Sequence, residues 1–223
     1  MRLCMFHPND NPLDRGWVGR IEDDRMLHLA AQTLQSFFLV GGGSRVHAEY
    51  PLADVTLLVP VQYPPTVRLF DDGGTFRFAN ATAVVGPNVP VSGTGLSARA
   101  RIAVVIGAGG EIGGTTAMVE WYDPAEDLAV KRSDFGIVLG PVVVTPDETG
   151  DASFACRLSA AERAVEGAPE AFSWPDALAL AGHRTTLRPG DVIAGPPVVV
   201  LDEVGGDAEL EVDGIGTLAC PLS

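Results

Sequence analysis

The sequence predicts an α+β domain that is mostly β, and three observations support this. The apolar residues of the 223-residue chain fall mainly into short runs rich in β-branched side chains, which are typical of strands. Glycine, proline and aspartate separate these runs, as expected for turns. Only two stretches show apolar residues at helical spacing. We therefore expect a sheet-based core in which helices are accessories.

Five runs predict the strands in chain order. They begin at Asp54, Arg101, Gly136, Asp191 and Ala208 and read DVTLLVPV, RIAVVIG, GIVLGPVVVTP, DVIAGPPVVVL and AELEVDGIGTL. Glycine pairs in VGGGS, DDGGT, GAGGEIGGTT and EVGGD predict turns or hairpins. None of these pairs joins a strand to a helix as a phosphate-binding loop requires, so no nucleotide site is expected.

Two stretches predict helices. Residues 24–40, DRMLHLAAQTLQSFFLV, place apolar side chains on one helical face. Residues 173–183, SWPDALALAGH, begin with a serine that can cap a helix and carry Pro175 in the first turn.

Charge and cysteine content restrict the possible partners and the compartment. The chain has 15 Lys and Arg against 29 Asp and Glu, a net charge of −14, which repels nucleic-acid phosphates and anionic lipid. We expect neither a nucleic-acid nor a membrane partner, and no apolar run is long enough for a signal peptide or a membrane span. Cys4, Cys156 and Cys220 form no paired motif, so we expect them to pack as small apolar residues in a protein of the reducing cytoplasm.

The order of several segments resembles the fumarylacetoacetate hydrolase (FAH) superfamily along nearly the whole chain. The similar stretches are TAVVGPNVPV, IAVVIG, KRSDFGIVLGPVVVTPDE, FSWPDALALAGHRTTLRPGDVIAGPP and LEVDGIGTLACPLS. The resemblance implies an FAH-like mixed β roll, with a small N-terminal lobe over residues 1–54 and the larger domain over 55–223. It also implies a homodimer.

The resemblance further implies a divalent metal in the members that have activity, held by a Glu-x-Glu pair on one strand and an Asp on another. The ion polarises a 1,3-dicarbonyl or an oxo acid for C–C cleavage, decarboxylation or tautomerisation. Matched to those motifs, this chain has Arg99 and Arg101 at the two glutamates and Glu120 at the aspartate. A guanidinium has donors only and cannot ligate a metal. We therefore expect no metal and no other cofactor.

Other segments also depart from the family pattern. The family's lid segment, with its catalytic His and Glu, is replaced by VRLFDDGGTFRF, which contains no histidine, so we expect no lid. AGGEIG, residues 108–113, is expected to form a tight hairpin connection. The family's TGTP loop reads AGPP here. Lys131 and Asp134, in KRSD, keep their identities, and we predict Lys131 to be a pocket residue.

The two arginines define the candidate site. Residues i and i+2 of a strand share a face, so Arg99 and Arg101 should lie side by side and repel each other unless an anion lies between them. Glu120 is one possible partner, and a substrate carboxylate or enolate is another. We predict that Arg99 and Arg101 bind the substrate, that Glu120 or Asp123 transfers the proton, and that Lys131 assists catalysis.

Two hypotheses for the function remain open. The first is a metal-independent FAH-like enzyme that hydrolyses, decarboxylates, isomerises or cyclises an anionic β-dicarbonyl or oxo acid, for example in a biosynthetic pathway. The second is a catalytically dead homologue with a binding or structural role, in which the two arginines and Glu120 form a salt-bridge cluster at the vacated metal site. An open pocket with convergent polar groups favours the enzyme, and a pocket filled by side chains favours the dead homologue.

Overall fold

The structure, a computed structural model, describes residues 1–71 and 74–223 as two sheets with short helices. The strands of the larger sheet are β1 (Arg2–Pro8), β2 (Trp17–Glu22), β3 (Arg25–Leu29), β4 (Val46–Pro51), β5 (Val55–Leu58), β6 (Val67–Phe70), β7 (Phe76–Ala79), β8 (Val84–Val85), β9 (Leu96–Ile106), β10 (Ile112–Tyr122), β11 (Ile137–Val144) and β14 (Val192–Val204). The smaller sheet contains β12 (Cys156–Ala160), β13 (Arg163–Gly167), β15 (Ala208–Val212) and β16 (Gly216–Cys220). The α-helices are α1 (Leu34–Leu39), α2 (Pro146–Thr149) and α3 (Trp174–Ala181).

The larger sheet is mixed, as predicted. Its strand order is β4-β3-β2-β1-β11-β10-β9-β14-β6-β7. Most neighbours are antiparallel, whereas β14 with β6 and β11 with β8 are parallel. The long strands β9 and β10 lie at its centre, and apolar residues on both of their faces are buried in the core. The candidate arginines therefore lie on a central strand.

All five predicted strand runs form strands, and the last run forms the β15–β16 hairpin. AGGEIG forms the predicted tight connection between β9 and β10, in which Ile106 pairs with Ile112. Gly109 and Gly110 have φ values of 67° and 83° there, which glycine adopts without the steric cost of a Cβ atom. The predicted cap of α3 is also confirmed, since the Ser173 hydroxyl accepts a hydrogen bond from the Asp176 amide.

The helix predicted over 24–40 is wrong in its first half. Arg25–Leu29 is strand β3, paired with β2 on one side and β4 on the other, and the helix begins only after Thr33, which caps it. Asp23 has a φ of 52° and allows a tight turn from Glu22 to Arg25, the last pair of the β2–β3 ladder. Pairing with two strands therefore overrides the helical spacing.

Residues 1–54 contribute β1 to β4 to one end of the larger sheet, and the boundary at residue 54 stays a prediction. The three cysteines are free and buried, as expected for small apolar packing. Burial raises the pKa of the Cys156 thiol to about 11. Within the described ranges, no helix has the length and apolar character needed to cross a membrane.

Candidate functional site

The residues of the candidate site lie on two adjacent antiparallel strands. Arg99 and Arg101 are on β9, and Glu120 is on β10, directly opposite Arg99. Residues directly opposite in an antiparallel pair point to the same face. The apolar residues that alternate with the arginines, Ala98, Ala100 and Ile102, are buried in a hydrophobic cluster.

Arg101 is fully buried and its guanidinium is saturated. Its Nε donates to Glu120 Oε2 at 2.9 Å, and its Nη2 lies 2.7 Å from the same oxygen. Nη2 also donates to Asp71 Oδ1 at 2.8 Å. Nη1 donates to the carbonyls of Phe70 and Gly195 at 2.7 and 2.9 Å. These contacts engage all three nitrogens of the guanidinium, and the side chain is fully buried, so Arg101 is not available to a ligand in this conformation.

Glu120 is also fully buried, and both of its oxygens are engaged. Arg101 holds Oε2, and Arg77 Nη2 contacts Oε1. The register places Glu120 opposite Arg99, but its side chain reaches diagonally to Arg101. Because guanidiniums hold both of its oxygens, this geometry suits Glu120 to orienting the two arginines.

Sequence reasoning missed Arg77 and Asp71, which complete this ion network of Arg101, Glu120, Arg77 and Asp71. Arg77, on β7, donates from Nε to Asp71 Oδ2 at 3.1 Å and from Nη1 to Ser133 Oγ at 3.3 Å. Burial opposes the charged form of Arg77, but the charge and hydrogen bond of Glu120, followed by those of Asp71, raise its pKa above the usual value. Burial also opposes the charged form of Asp71 and so raises its pKa, but the hydrogen bonds and charges of Arg101 and Arg77 outweigh burial and lower the pKa below its usual value. The network thus holds two cations and two anions, whose charges cancel.

Arg99 lies outside this network. Its guanidinium carbon is 3.7 Å from the centroid of the Tyr122 ring, a cation–π arrangement that fixes the side chain. Within residues 1–71 and 74–223, the Arg99 side chain makes no hydrogen bond or ion pair. The Tyr122 hydroxyl accepts a hydrogen bond from Arg132 Nη1 at 3.2 Å. Two cations thus contact Tyr122, one at its ring and one at its hydroxyl, and among the described residues the partly buried Arg99 keeps its donors free for an anion.

The other two predicted site residues lie on the loop after β10. Lys131 ends the 3₁₀ turn Ala129–Lys131, is half exposed, and contacts the Asp134 carboxylate. Asp123 Oδ1 accepts a hydrogen bond from the Ala125 amide at 2.8 Å. In the described part of the chain neither residue contacts the ion network, but the Arg77–Ser133 hydrogen bond places their loop beside it.

The segment that replaces the family's lid covers the ion network. It forms the β6–β7 hairpin, which supplies the Phe70 carbonyl, Asp71 and Arg77. The predicted DDGGT turn includes residues 72–73, which lie outside the described residues. Gly195 of the AGPP segment, on β14, contributes the other carbonyl that binds Arg101.

A cavity of about 310 Å³ lies next to the AGPP segment. Its lining includes Phe172, Trp174, Pro196 and Pro197. Arg99 and Arg101 are not among its lining residues, but Gly195, whose carbonyl binds Arg101, is.

The residues present do not fit the divalent cation that the family resemblance implies. A saturated guanidinium lies beside Glu120, and it has no lone pair to offer a metal. The described residues contain no group of three or more His, Cys, Asp or Glu side chains placed to hold a metal ion.

Comparison with solved structures confirms the predicted fold. The chain is similar over 100% of its length to maleylpyruvate hydrolase from Sphingobium sp. SYK-6 in complex with manganese(II) and pyruvate, with 22% identity, 98% coverage of that chain and a TM-score of 0.79. It is similar over 100% of its length and 99% of the other chain to 5-carboxymethyl-2-hydroxymuconate delta-isomerase from Mycobacterium smegmatis, with 24% identity and a TM-score of 0.80. It shares 17% identity and a TM-score of 0.78 with 2-keto-3-deoxy-D-arabinonate dehydratase complexed with magnesium and 2,5-dioxopentanoate, over 100% of this chain and 99% of that one. No protein-family model and no curated protein sequence matches the chain.

Proposed function

We propose that the protein is an FAH-superfamily member that acts on an anionic oxo acid or β-dicarbonyl without a divalent metal ion. The observation that carries this proposal is the saturated, fully buried guanidinium of Arg101 at a position where the family resemblance implies a metal ligand. The shared fold supports the substrate class, since the similar structures include complexes with pyruvate and with 2,5-dioxopentanoate.

In this proposal Arg99 supplies the main anion contact. Its free donors can hold a carboxylate in the bidentate geometry that arginine favours. Tyr122 fixes the guanidinium from one side. A cation preorganised in this way stabilises the negative charge of an enolate without movement during the reaction. Arg77 and Lys131, both partly exposed, lie around the same loop, and each is paired with a carboxylate.

Proton transfer is assigned to Asp123, with Glu120 as a positioning residue. The structure gives Asp123 a hydrogen bond at Oδ1 only, so among the described residues Oδ2 is unengaged and can accept a proton. Glu120 instead orients Arg101 and Arg77 through its two engaged oxygens. Lys131 assists by its charge beside this loop.

The purified protein should contain no stoichiometric divalent metal, and its binding of pyruvate should survive chelation. The reason is that guanidiniums occupy the positions of the implied ligands. The test is elemental analysis after incubation with manganese and desalting, followed by calorimetric titration of pyruvate with and without EDTA. About one metal ion per chain, as expected for a hard-oxygen site, together with EDTA-sensitive pyruvate binding, would refute metal independence.

A catalytically dead homologue is the second candidate, and the filled position of Arg101 and Glu120 favours it. Both side chains are 0% exposed and no ligand can contact them in this conformation. The two candidates differ at Arg99, which holds an oxo acid or a β-dicarbonyl only in the first. Titration of pyruvate and of 2,5-dioxopentanoate separates them. If the protein binds neither compound, only the dead homologue remains.

The chain should form a homodimer, as the family resemblance implies. Leu128 and Val130 are exposed apolar residues on the loop beside the site, and a partner subunit could cover such side chains. Sedimentation equilibrium at micromolar concentration should give twice the chain mass of 23.3 kDa. Because the chain is strongly acidic, the measurement should be repeated at low and high salt. A single-chain mass under both conditions would contradict the prediction.

A further inference from the structure

We propose that Asp71 is an internal carboxylate ligand, which occupies the anion place between Arg77 and Arg101 and must be displaced before an external carboxylate can bind there. The inference rests on the proposed function in one respect, namely that the external carboxylate belongs to the oxo acid. It adds a specificity-determining residue that the family motifs do not contain.

The geometry of Asp71 is that of a bound carboxylate. Its Oδ1 accepts from Arg101 Nη2 at 2.8 Å and its Oδ2 accepts from Arg77 Nε at 3.1 Å. Each oxygen therefore engages a different guanidinium. Charge-assisted hydrogen bonds of this kind are also those by which proteins bind a carboxylate ligand. An acetate or pyruvate carboxylate could reproduce both contacts in the same place.

Asp71 is the member of the ion network best placed to leave. Arg101 and Glu120 are fully buried, whereas the Asp71 side chain is 45% exposed and that of Arg77 is 36% exposed. Asp71 follows the last pair of the β6–β7 ladder, Phe70 with Phe76. Its side chain can therefore turn to solvent without breaking a strand pair. Moving Arg101 or Glu120 would instead leave a buried charge without its ion-pair partners.

The charges of the network select an anion as the replacement. Without Asp71 the network keeps Arg101, Arg77 and Glu120, a net charge of +1. A monocarboxylate restores neutrality, and a neutral or cationic molecule does not. The two arginines hold the pKa of Asp71 below its usual value, so the internal ligand is charged at neutral pH and competes with any external carboxylate.

The experiment is rescue by acetate of an Asp71→Ala variant. Removal of the side chain vacates the anion place, so acetate should raise the melting temperature of this variant and bind it at least about tenfold more tightly than it binds the wild type, a factor that corresponds to about 1.4 kcal/mol. Glu49→Ala is the matched control, because it removes an exposed carboxylate paired with Arg25 far along the sheet. Chloride at equal ionic strength controls for salt. The Arg77 Nε–H signal in the NMR spectrum should also shift on addition of acetate to Asp71→Ala.

Two outcomes overturn the inference and one separates it from the proposed function. If acetate stabilises Asp71→Ala no more than it stabilises the wild type and Glu49→Ala, the internal ligand does not exist. If Asp71→Ala fails to fold, the isosteric Asp71→Asn should gain acetate affinity, and unchanged affinity there overturns the inference as well. If acetate rescues Asp71→Ala but the wild type binds neither pyruvate nor 2,5-dioxopentanoate, the internal ligand is supported and the proposed function fails.

Discussion

Replacement of Arg101 by methionine is expected to destabilise the fold by about 3–5 kcal/mol, the range for removing one partner of a buried ion pair. Methionine keeps much of the apolar stem but leaves Glu120 buried with Arg77 as its remaining partner. It also leaves the carbonyls of Phe70 and Gly195 without their donor. Urea unfolding at neutral pH measures the change. Arg99→Met is the matched control, since the same substitution two residues away removes only a contact with Tyr122 and should cost about 1 kcal/mol or less.

A double variant distinguishes an ion pair from a packing effect. Arg101→Met combined with Glu120→Gln removes both buried charges of the pair, while Arg77 and Asp71 still neutralise each other. The loss of unfolding free energy in the double variant should therefore be smaller than the sum of the losses in the two single variants. The difference should be about 1–3 kcal/mol, the usual size of coupling between contacting residues. Strict additivity would show that Arg101 contributes through packing alone.

The parts of the fold that were predicted correctly are those that depend on local chemistry. The β-branched runs, the Gly109–Gly110 connection and the Ser173 cap each act over a few neighbouring residues, so the sequence alone contains their signal. The segment at β3 was predicted wrongly as helix because its apolar spacing fits a helix as well. Its partners β2 and β4 lie before and after it in the chain, and helical spacing carries no information on such pairing.

The candidate site was predicted only in part, for the same reason. Motif comparison brought Arg99, Arg101 and Glu120 together, and the structure places all three on adjacent strands. Arg77 and Asp71 come from a hairpin earlier in the chain and belong to no motif. The signal that could have revealed Arg77 is its position in TFRF, since a charged residue between two aromatic residues on a short strand lies on the opposite face from them. Glu120 lies directly opposite Arg99 but pairs with Arg101. The sequence could not show this, because the other partners of Arg101, which are two carbonyls and Asp71, come from distant parts of the chain.

Arg99→Met is expected to weaken the binding of pyruvate by about 10- to 150-fold, equivalent to about 1.5–3 kcal/mol, the worth of a charge-assisted hydrogen bond. The free donors of Arg99 hold the anion in the proposed function, and methionine removes them while keeping the stem in contact with Tyr122. Calorimetric titration of pyruvate measures the loss. The free energy of unfolding should change little, because no carboxylate of the described residues depends on Arg99.

Arg99→Lys sharpens this prediction, because it keeps the positive charge and removes the planar fork. If the ligand binds through bidentate hydrogen bonds, lysine should restore only part of the affinity lost in Arg99→Met. If the site attracts anions through charge alone, lysine should restore nearly all of it, and affinity should then fall steeply with salt. Pyruvate affinity that is the same in the wild type and both variants would remove Arg99 from the site. Because Arg101 is fully buried and paired with Asp71 and Glu120, no arginine of β9 would then be available to hold a ligand while Asp71 stays in place, and the position of the implied metal would be filled by a structural ion network, as expected of a dead homologue.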